Sequence, residues 1–304
     1  ASVAASNLNT LNGKTTVAVG VTSTTITGAA EDVNTAYAAN TSGTITGLGN
    51  ELVTISDTTL AADVLNTLNG NTSGVVNAST VTAITGTASD INSAYAANTV
   101  GTLSGLGNEG VTISDTTLAA SVLNTLDGNT SGTVDASTVT TLTGTAVASN
   151  TALTSDGISG LGDEAVTLSD TSITAATLNT LNDNTTGTID ASTVLTVTGS
   201  TAALNTMYTT AGVSGGGDEA ITITDTTVAA SALNTLDGKT TGTVDASTLT
   251  TLTGTGEDAL TAFNSAGISG LTFDAASYLA SHTDLLSAFG SNTFDARTHY
   301  FATG

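Results

Sequence analysis

The sequence predicts a repeat solenoid: right-handed, β-helix-like coils of parallel strands, each of about 27 residues with one short helix, followed by a small helical C-terminal module. Three observations carry this. Leu-Asn-Thr-Leu recurs at Leu8, Leu65, Leu123, Leu178 and Leu233, at intervals of 57, 58, 55 and 55 residues. A glycine marks each half of that long unit, at Gly47, Gly74, Gly105, Gly132, Gly160, Gly187, Gly215, Gly242 and Gly270, spaced by 27 or 28 residues with one interval of 31. Finally, aromatic residues make up only 3% of the 304, with no Trp, Cys or Pro, so a single unit is too poor in large side chains to close a core. Stacked neighbours can close one together.

Within a coil, Val111 to Ser114 and Val139 to Thr143 mix β-branched residues with turn-forming flanks, a short-strand signal. A helical pattern follows. Leu118, Val122, Leu123 and Leu126 share a face, with Asp115 placed to cap the segment and Gly128 to end it. Ile91 and Tyr95 repeat the pattern in the alternate half. The absence of proline suits strands in which every N–H is needed, and right-handed coils follow from the crossover preference of parallel strands. Gly132, Gly160, Gly187 and Gly242 are expected at equivalent turns. The array covers residues 1–270 in 10 to 11 coils. Residues 271–304 form the second module, holding Phe273, Phe289, Phe294 and Phe301 and both histidines, His282 and His299. Its pattern reads as two or three short helices that cover the last coil or dock onto another chain.

Charge excludes several classes. With 3 Lys+Arg against 26 Asp+Glu, the formal charge of −23 repels phosphate backbones and anionic lipid heads, so nucleic acid is not an expected partner. No run approaches the ~18 apolar residues of a spanning helix, so membrane insertion is not expected either. Without Cys there is no disulfide, thiolate nucleophile or Cys zinc site. The chain opens inside a repeat without a basic and apolar leader, and reads as a section of a longer exported protein.

The sharpest candidate site is a column three residues after eight of the glycines: Asn50, Asn77, Asn108, Asp135, Asp163, Asp190, Asp218 and Asp245. If coils stack in sequence register, Asp135, Asp163, Asp190, Asp218 and Asp245 stand about 5 Å apart. Such a ladder must be solvated, protonated or bridged, and Ca²⁺ suits it through its flexible oxygen coordination. The competing reading is turn chemistry, which Asn in the first three positions favours and which requires no cofactor. Glu51, Glu109, Glu164 and Glu219 follow the column in every second coil. Paired carboxylates suit glycoside hydrolysis, but these obey the repeat and are expected as solvated turn charges. Ser281, His282 and Asp284 are neighbours in sequence rather than a triad assembled in space. Asp57, Asp115, Asp170 and Asp225 are expected to cap the helices that follow them. Thr141 with Thr143, and Thr250 with Thr253, either present outward hydroxyl rows that bind ice or crystalline polysaccharide, or reflect the β-propensity of Thr.

The segments Thr133 to Thr138 (Thr-Val-Asp-Ala-Ser-Thr) and Leu123 to Thr130 (Leu-Asn-Thr-Leu-Asp-Gly-Asn-Thr) resemble the Thr/Asp-rich tandem arrays of very large secreted surface proteins of marine cyanobacteria and related bacteria. The tail from Phe273 to Gly290, with His299, Tyr300 and Phe301, is similar to a short module of the same kinds of protein. The resemblance covers nearly the whole chain. It implies an extracellular structural or adhesive role, often with type I secretion and calcium, and brings no catalytic residue. The Gly-Gly-x-Gly-x-Asp nonapeptides of calcium-binding toxin-type repeats are absent from the sequence. The expected function is therefore a non-enzymatic section of a cell-surface fibre, sheath or adhesin stalk. It would self-associate head to tail, with Phe273, Tyr278, Leu285, Leu286 and Phe289 near the junction. The alternatives are a glycan- or ice-binding module that takes surface polysaccharide as partner, and a polysaccharide-acting enzyme, for which three basic residues and no Trp supply few sugar contacts.

Overall fold

The computed structural model describes residues 1–273 and 292–303, and its architecture is the expected repeat solenoid. Short strands, all paired in parallel, alternate with helices. One long unit shows the order. Strand Thr59–Ala61 runs directly into helix Ala62–Asn71, followed by strands Val76–Asn77 and Ala83–Gly86. Helix Ala88–Val100 comes next and stops at Gly101, whose φ of 90° places it in the left-handed region that ends helices. Strands Leu103–Ser104 and Gly110–Ile113 complete the unit, and Thr117–Ala119 begins another.

The register differs from the expected 27-residue coil. Ser2 pairs with Thr25, Thr25 with Leu52, Val53 with Val76 and Val76 with Leu103, offsets of 23, 27, 23 and 27 residues. Two pairing steps from Ser2 thus reach Leu52, 50 residues on, whereas the 57-residue sequence repeat puts the counterpart of Ser2 at Thr59. That counterpart strand does not join the first sheet. It opens a second one, in which Leu60, Ile84, Val111, Val134 and Ile158 form the inward row. The same relation recurs further along with Ile173, Val197, Ile221, Val244 and Ile268. Each five-stranded sheet therefore contains five different strand types in a fixed order, and residues equivalent in sequence do not stack on one another.

The backbone divides into two compact units, residues 1–143 with 151–164, and residues 144–150 with the described residues from 165 onward. In the first, helices Ala5–Asn12, Ala30–Thr41, Ala62–Asn71, Ala88–Val100 and Ala120–Asn129 pack in sequence, each on the next. In the second, Ala175–Asn184, Thr201–Thr209, Ala230–Asp237 and Gly256–Asn264 do the same, and the C-terminal helix Thr293–Thr303 packs on the last of them. Arg297 fixes that contact: its guanidinium lies 5.3 Å from the Phe263 ring centre and donates to Asn264 Oδ1 at 2.6 Å. Phe273 meets Phe263 edge-on, with ring centres 6.3 Å apart.

The Leu-Asn-Thr-Leu motif follows from this layer. Leu65 and Leu68 are fully buried, each contributing about 1.5–3 kcal/mol through lost apolar exposure. Between them Asn66 donates from Nδ2 to the Asp90 carbonyl in the next coil's helix at 2.9 Å, as Asn9 does to Asp32, Asn179 to Ala203 and Asn234 to Asp258. The Thr hydroxyl donates back along its own helix, as Thr125 does to Ser121 O at 2.8 Å.

The marker glycines fall into two alternating classes rather than one. Gly105 and Gly160 have φ of 91° and 84°, which only glycine adopts freely. Gly132 has an ordinary φ, but a Cβ there would overlap the Glu109 carbonyl group. Gly128, by contrast, is a helical glycine with open space around it. Gly132→Ala is expected to lower the unfolding free energy by about 1–3 kcal/mol, and Gly128→Ala to raise it by up to ~1 kcal/mol. Urea denaturation of the two variants checks this, and equal effects would mean that close coil approach does not select the glycine.

Candidate functional site

The structure overturns one expectation about acidic residues. Glu51, Glu109, Glu164 and Glu219 are not solvated turn charges: they are 2%, 0%, 0% and 2% exposed. Each sits at the end of the turn that the positive-φ glycine opens, and that turn folds around its carboxylate. Glu51 Oε2 accepts from the N–H of Gly49 at 2.8 Å and of Asn50 at 3.2 Å, and Glu109 Oε2 from Gly107 and Asn108 at the same distances. A tyrosine of the preceding helix completes the set, with Tyr37 donating to Glu51 at 3.1 Å, Tyr95 to Glu109 at 3.0 Å and Tyr208 to Glu219 at 3.1 Å. Converging N–H dipoles and a phenol replace the water lost by one carboxylate oxygen, whereas Glu109 Oε1 is buried without a hydrogen-bond partner.

The next coil staples the same turn. Thr72, Thr130 and Thr240, all buried, donate to the main-chain carbonyls of Glu51, Glu109 and Glu219 at 2.8, 2.8 and 2.6 Å. These hydroxyls also accept the N–H of Gly74, Gly132 and Gly242. The tyrosines were legible as a spacing, since Tyr37 and Tyr95 each precede a glutamate by 14 residues, but composition and helical periodicity gave them only a core role. Burial in this site, reinforced by the neighbouring carboxylate charge, pushes Tyr37 from its ordinary value of 10 up to about 12. Tyr95 and Tyr208 are pushed up for the same leading reason.

The helix-capping aspartates act across coils. Asp57 Oδ2 accepts from Ala30 N at 2.8 Å, Asp115 from Ala88 N at 2.7 Å, Asp170 from Ala146 N at 2.8 Å and Asp225 from Thr201 N at 2.6 Å. Each therefore caps the helix of the preceding coil, 24 or 27 residues earlier, and not the helix that follows it. The preceding helix already carries its own cap in places, as where Thr87 accepts from Asp90 N. The carboxylate adds a charge at the positive helix end.

The Asp column does not form a ladder. Asp135 lies between Thr112 and Ser159, Asp190 between Thr167 and Ser214, and Asp245 between Thr222 and Ser269, because the pairing offset is shorter than the sequence repeat. Their Oδ1 atoms accept the N–H of Ser137, Ser192 and Ser247. Those serines, side chain first, hold Asp135 and Asp190 below the usual carboxylate range. Asp163 and Asp218 lie in the glycine turns, exposed, beside the buried Glu164 and Glu219, so neither pair presents two carboxylates to one space. Among the described residues no group of three or more His, Asp and Glu side chains is arranged to hold a metal ion.

The remaining candidates are also placed. Thr27, Thr54, Asn77 and Ser104 form an outward polar row, and Thr174, Thr198, Thr222, Asp245 and Ser269 form another. Thr141 and Thr143 pair with Thr117 and Ala119. His299 is half-buried on the C-terminal helix. Tyr278, His282, Leu285, Leu286 and Phe289 lie outside the described residues. Comparison with protein-family models, with curated proteins and with solved structures finds no match for this chain.

Two outcomes follow from this geometry. Asp115→Ala is expected to cost about 1 kcal/mol, read as faster amide exchange in the first turn of Ala88–Val100; acceleration confined to Ala120–Asn129 would contradict capping across coils. For Tyr37 the folded pKa lies above the unfolded value, so the native state holds its proton longer. The stability this supplies is complete below about pH 10 and lost as pH rises towards about 12. A Tyr37→Phe variant should lose that part of the alkaline decline, and identical pH–stability curves would exclude the tyrosine.

Proposed function

We propose that this chain is a non-enzymatic, extracellular structural section of a surface fibre, sheath or adhesin stalk. The observation that carries the proposal is where the repeated polar residues are used. The recurring aspartates, asparagines and threonines bond to the coil before or after their own, as Asp115 does to Ala88, Asn66 to Asp90 and Thr130 to Glu109. Side chains that recur in this way fasten coil to coil, which suits a protein whose repeats provide length. The buried glutamates support the same reading, since each accepts at least one main-chain N–H of its own turn. The extracellular setting rests on the resemblance to secreted surface arrays.

Head-to-tail association belongs to the same proposal. Strand Ser2–Ala4 joins Thr25–Gly28 by the same parallel pairing that joins the other coils, and a coil of another copy would add to the stack in that way. A heterologous contact between the end coils of two copies would extend without closing. A second reading, a glycan- or ice-binding module, is favoured by the row Thr174, Thr198, Thr222, Asp245 and Ser269, although a carboxylate interrupts its hydroxyls. Electron microscopy of the protein, with and without residues 271–304, tests the proposal. Filaments that shorten on deletion are expected. Isolated particles from both chains would favour the binding module, and unchanged filaments would remove the C-terminal residues from the junction.

A further inference from the structure

The glutamate turn departs from its own repeat in one place. Leu48, Leu106 and Leu161 precede the Gly-Asn/Asp-Glu of the first three turns, whereas Gly216 stands at that position in the fourth. The third and fourth turns are also shorter, with Leu153 and Tyr208 11 residues before Glu164 and Glu219 against 14 for Tyr95 and Glu109. In the longer turns Asn40 and Asn98 clamp the leucine backbone, Asn40 donating to Leu48 O at 3.2 Å and accepting from Leu48 N at 3.1 Å. The fourth turn has lost both the leucine and the clamp. The space left is a cavity of about 140 Å³, lined by Leu178, Met207, Tyr208, Thr210, Val213 and Glu219 with the backbone of Gly215 and Gly216.

Glu219 reaches this cavity with one oxygen. Oε2 is occupied by Gly217 N at 2.8 Å and Tyr208 Oη at 3.1 Å. Oε1 has no hydrogen-bond partner among the described residues, as is also true of Glu109 Oε1, but only here does it face the place of a missing side chain: a Cβ on Gly216 would stand 2.5 Å from it. Glu219 as a whole is 2% exposed, and none of the chain's few basic residues lines the cavity. A carboxylate oxygen that no protein donor occupies favours a cationic donor, and the chain's net charge of −23 draws cations towards it. The other walls mix the apolar Leu178, Met207 and Val213 and the Tyr208 ring with Thr210 and the Gly215 backbone, so a methylene stem has one apolar side to lie on. At roughly 30 Å³ per small group, the volume holds four or five heavy atoms.

We propose that this cavity binds a primary alkylammonium group, its ammonium on Glu219 Oε1 and its stem against Leu178 and Met207. Such a group comes either from a free polyamine or from a lysine side chain of another protein.

Met207 is the single Met of the chain, so a methyl-labelled sample reports the cavity through one resonance. Titration with n-butylammonium chloride at fixed ionic strength is expected to shift that resonance saturably, and n-butanol is expected not to. Gly216→Leu restores the side chain of the other three turns and should weaken binding at least ~10-fold by filling the cavity, with the Met207 signal still dispersed as the sign of an intact fold. Glu219→Gln should weaken it by a similar factor, ~10-fold or more, by removing the charge. Displacement of n-butylammonium by spermidine or by a terminally blocked Ala-Lys-Ala peptide identifies the source. No shift with n-butylammonium, an equal response to n-butanol, unchanged affinity in Gly216→Leu, or displacement by neither competitor would overturn the assignment.

Discussion

A strand of two to four residues can satisfy its N–H and C=O groups only on the coils above and below it, and this constraint organises the molecule. The strands are too short, and their side chains too small, to hold a sheet by packing alone. Parallel pairing therefore sets the register, and the residues between strands adapt to it. Because two pairing steps from Ser2 consume 50 residues while the sequence repeats after 57, each long unit is carried seven residues past the point where it began. A strand and its sequence counterpart then belong to different sheets. The order of residue types down a sheet, such as Ala61, Thr85, Thr112, Asp135 and Ser159, records that advance.

This displacement explains why the polar side chains act at a distance. An aspartate at the bend after one strand faces the start of a helix in the preceding coil, so Asp57 reaches Ala30. The same bend is held from the other side, where Thr80 donates to the carbonyls of Ile55 and Asp57, both at 3.0 Å. Successive coils are thus linked through strand pairing, helix contact, aspartate caps and threonine staples. Each coil end is satisfied by its neighbour, which is the condition under which a repeat array is stable although its single unit is not.

The buried glutamate fits the same logic. A carboxylate inside a protein is costly unless its hydrogen-bonding capacity is met. Here the turn that carries it supplies two N–H groups and the helix before it a phenol, all to Oε2, so the charge organises the turn through one oxygen while Glu109 Oε1 stays buried without a partner. Where the third repeat has Leu153 in place of the tyrosine, Gly162 still donates to Glu164 at 2.8 Å. The main-chain cradle is therefore the constant part, and the aromatic partner is the variable one. Variation at the turn's own leucine is what opens the space at Gly216.

The sequence by itself determined the class of fold. The recurring Leu-Asn-Thr-Leu, the glycine in every half-unit and the lack of proline required stacked parallel strands with short helices, and Leu65, Leu123 and Leu178 were readable as core positions from spacing alone. It also identified Asp57, Asp115, Asp170 and Asp225 as caps. Tertiary structure alone decided which helix each one caps, because a repeat counted along the chain does not specify the pairing offset between coils. For that reason the Asp column is interleaved with threonine and serine, although the sequence aligns Asp135 with Asp190 and Asp245. The burial of Glu51 and Glu109 was likewise beyond sequence reading: a glutamate after Gly-Asn has the signature of an exposed turn, and only the approach of Tyr37 and Tyr95 from the helix layer makes it an interior residue.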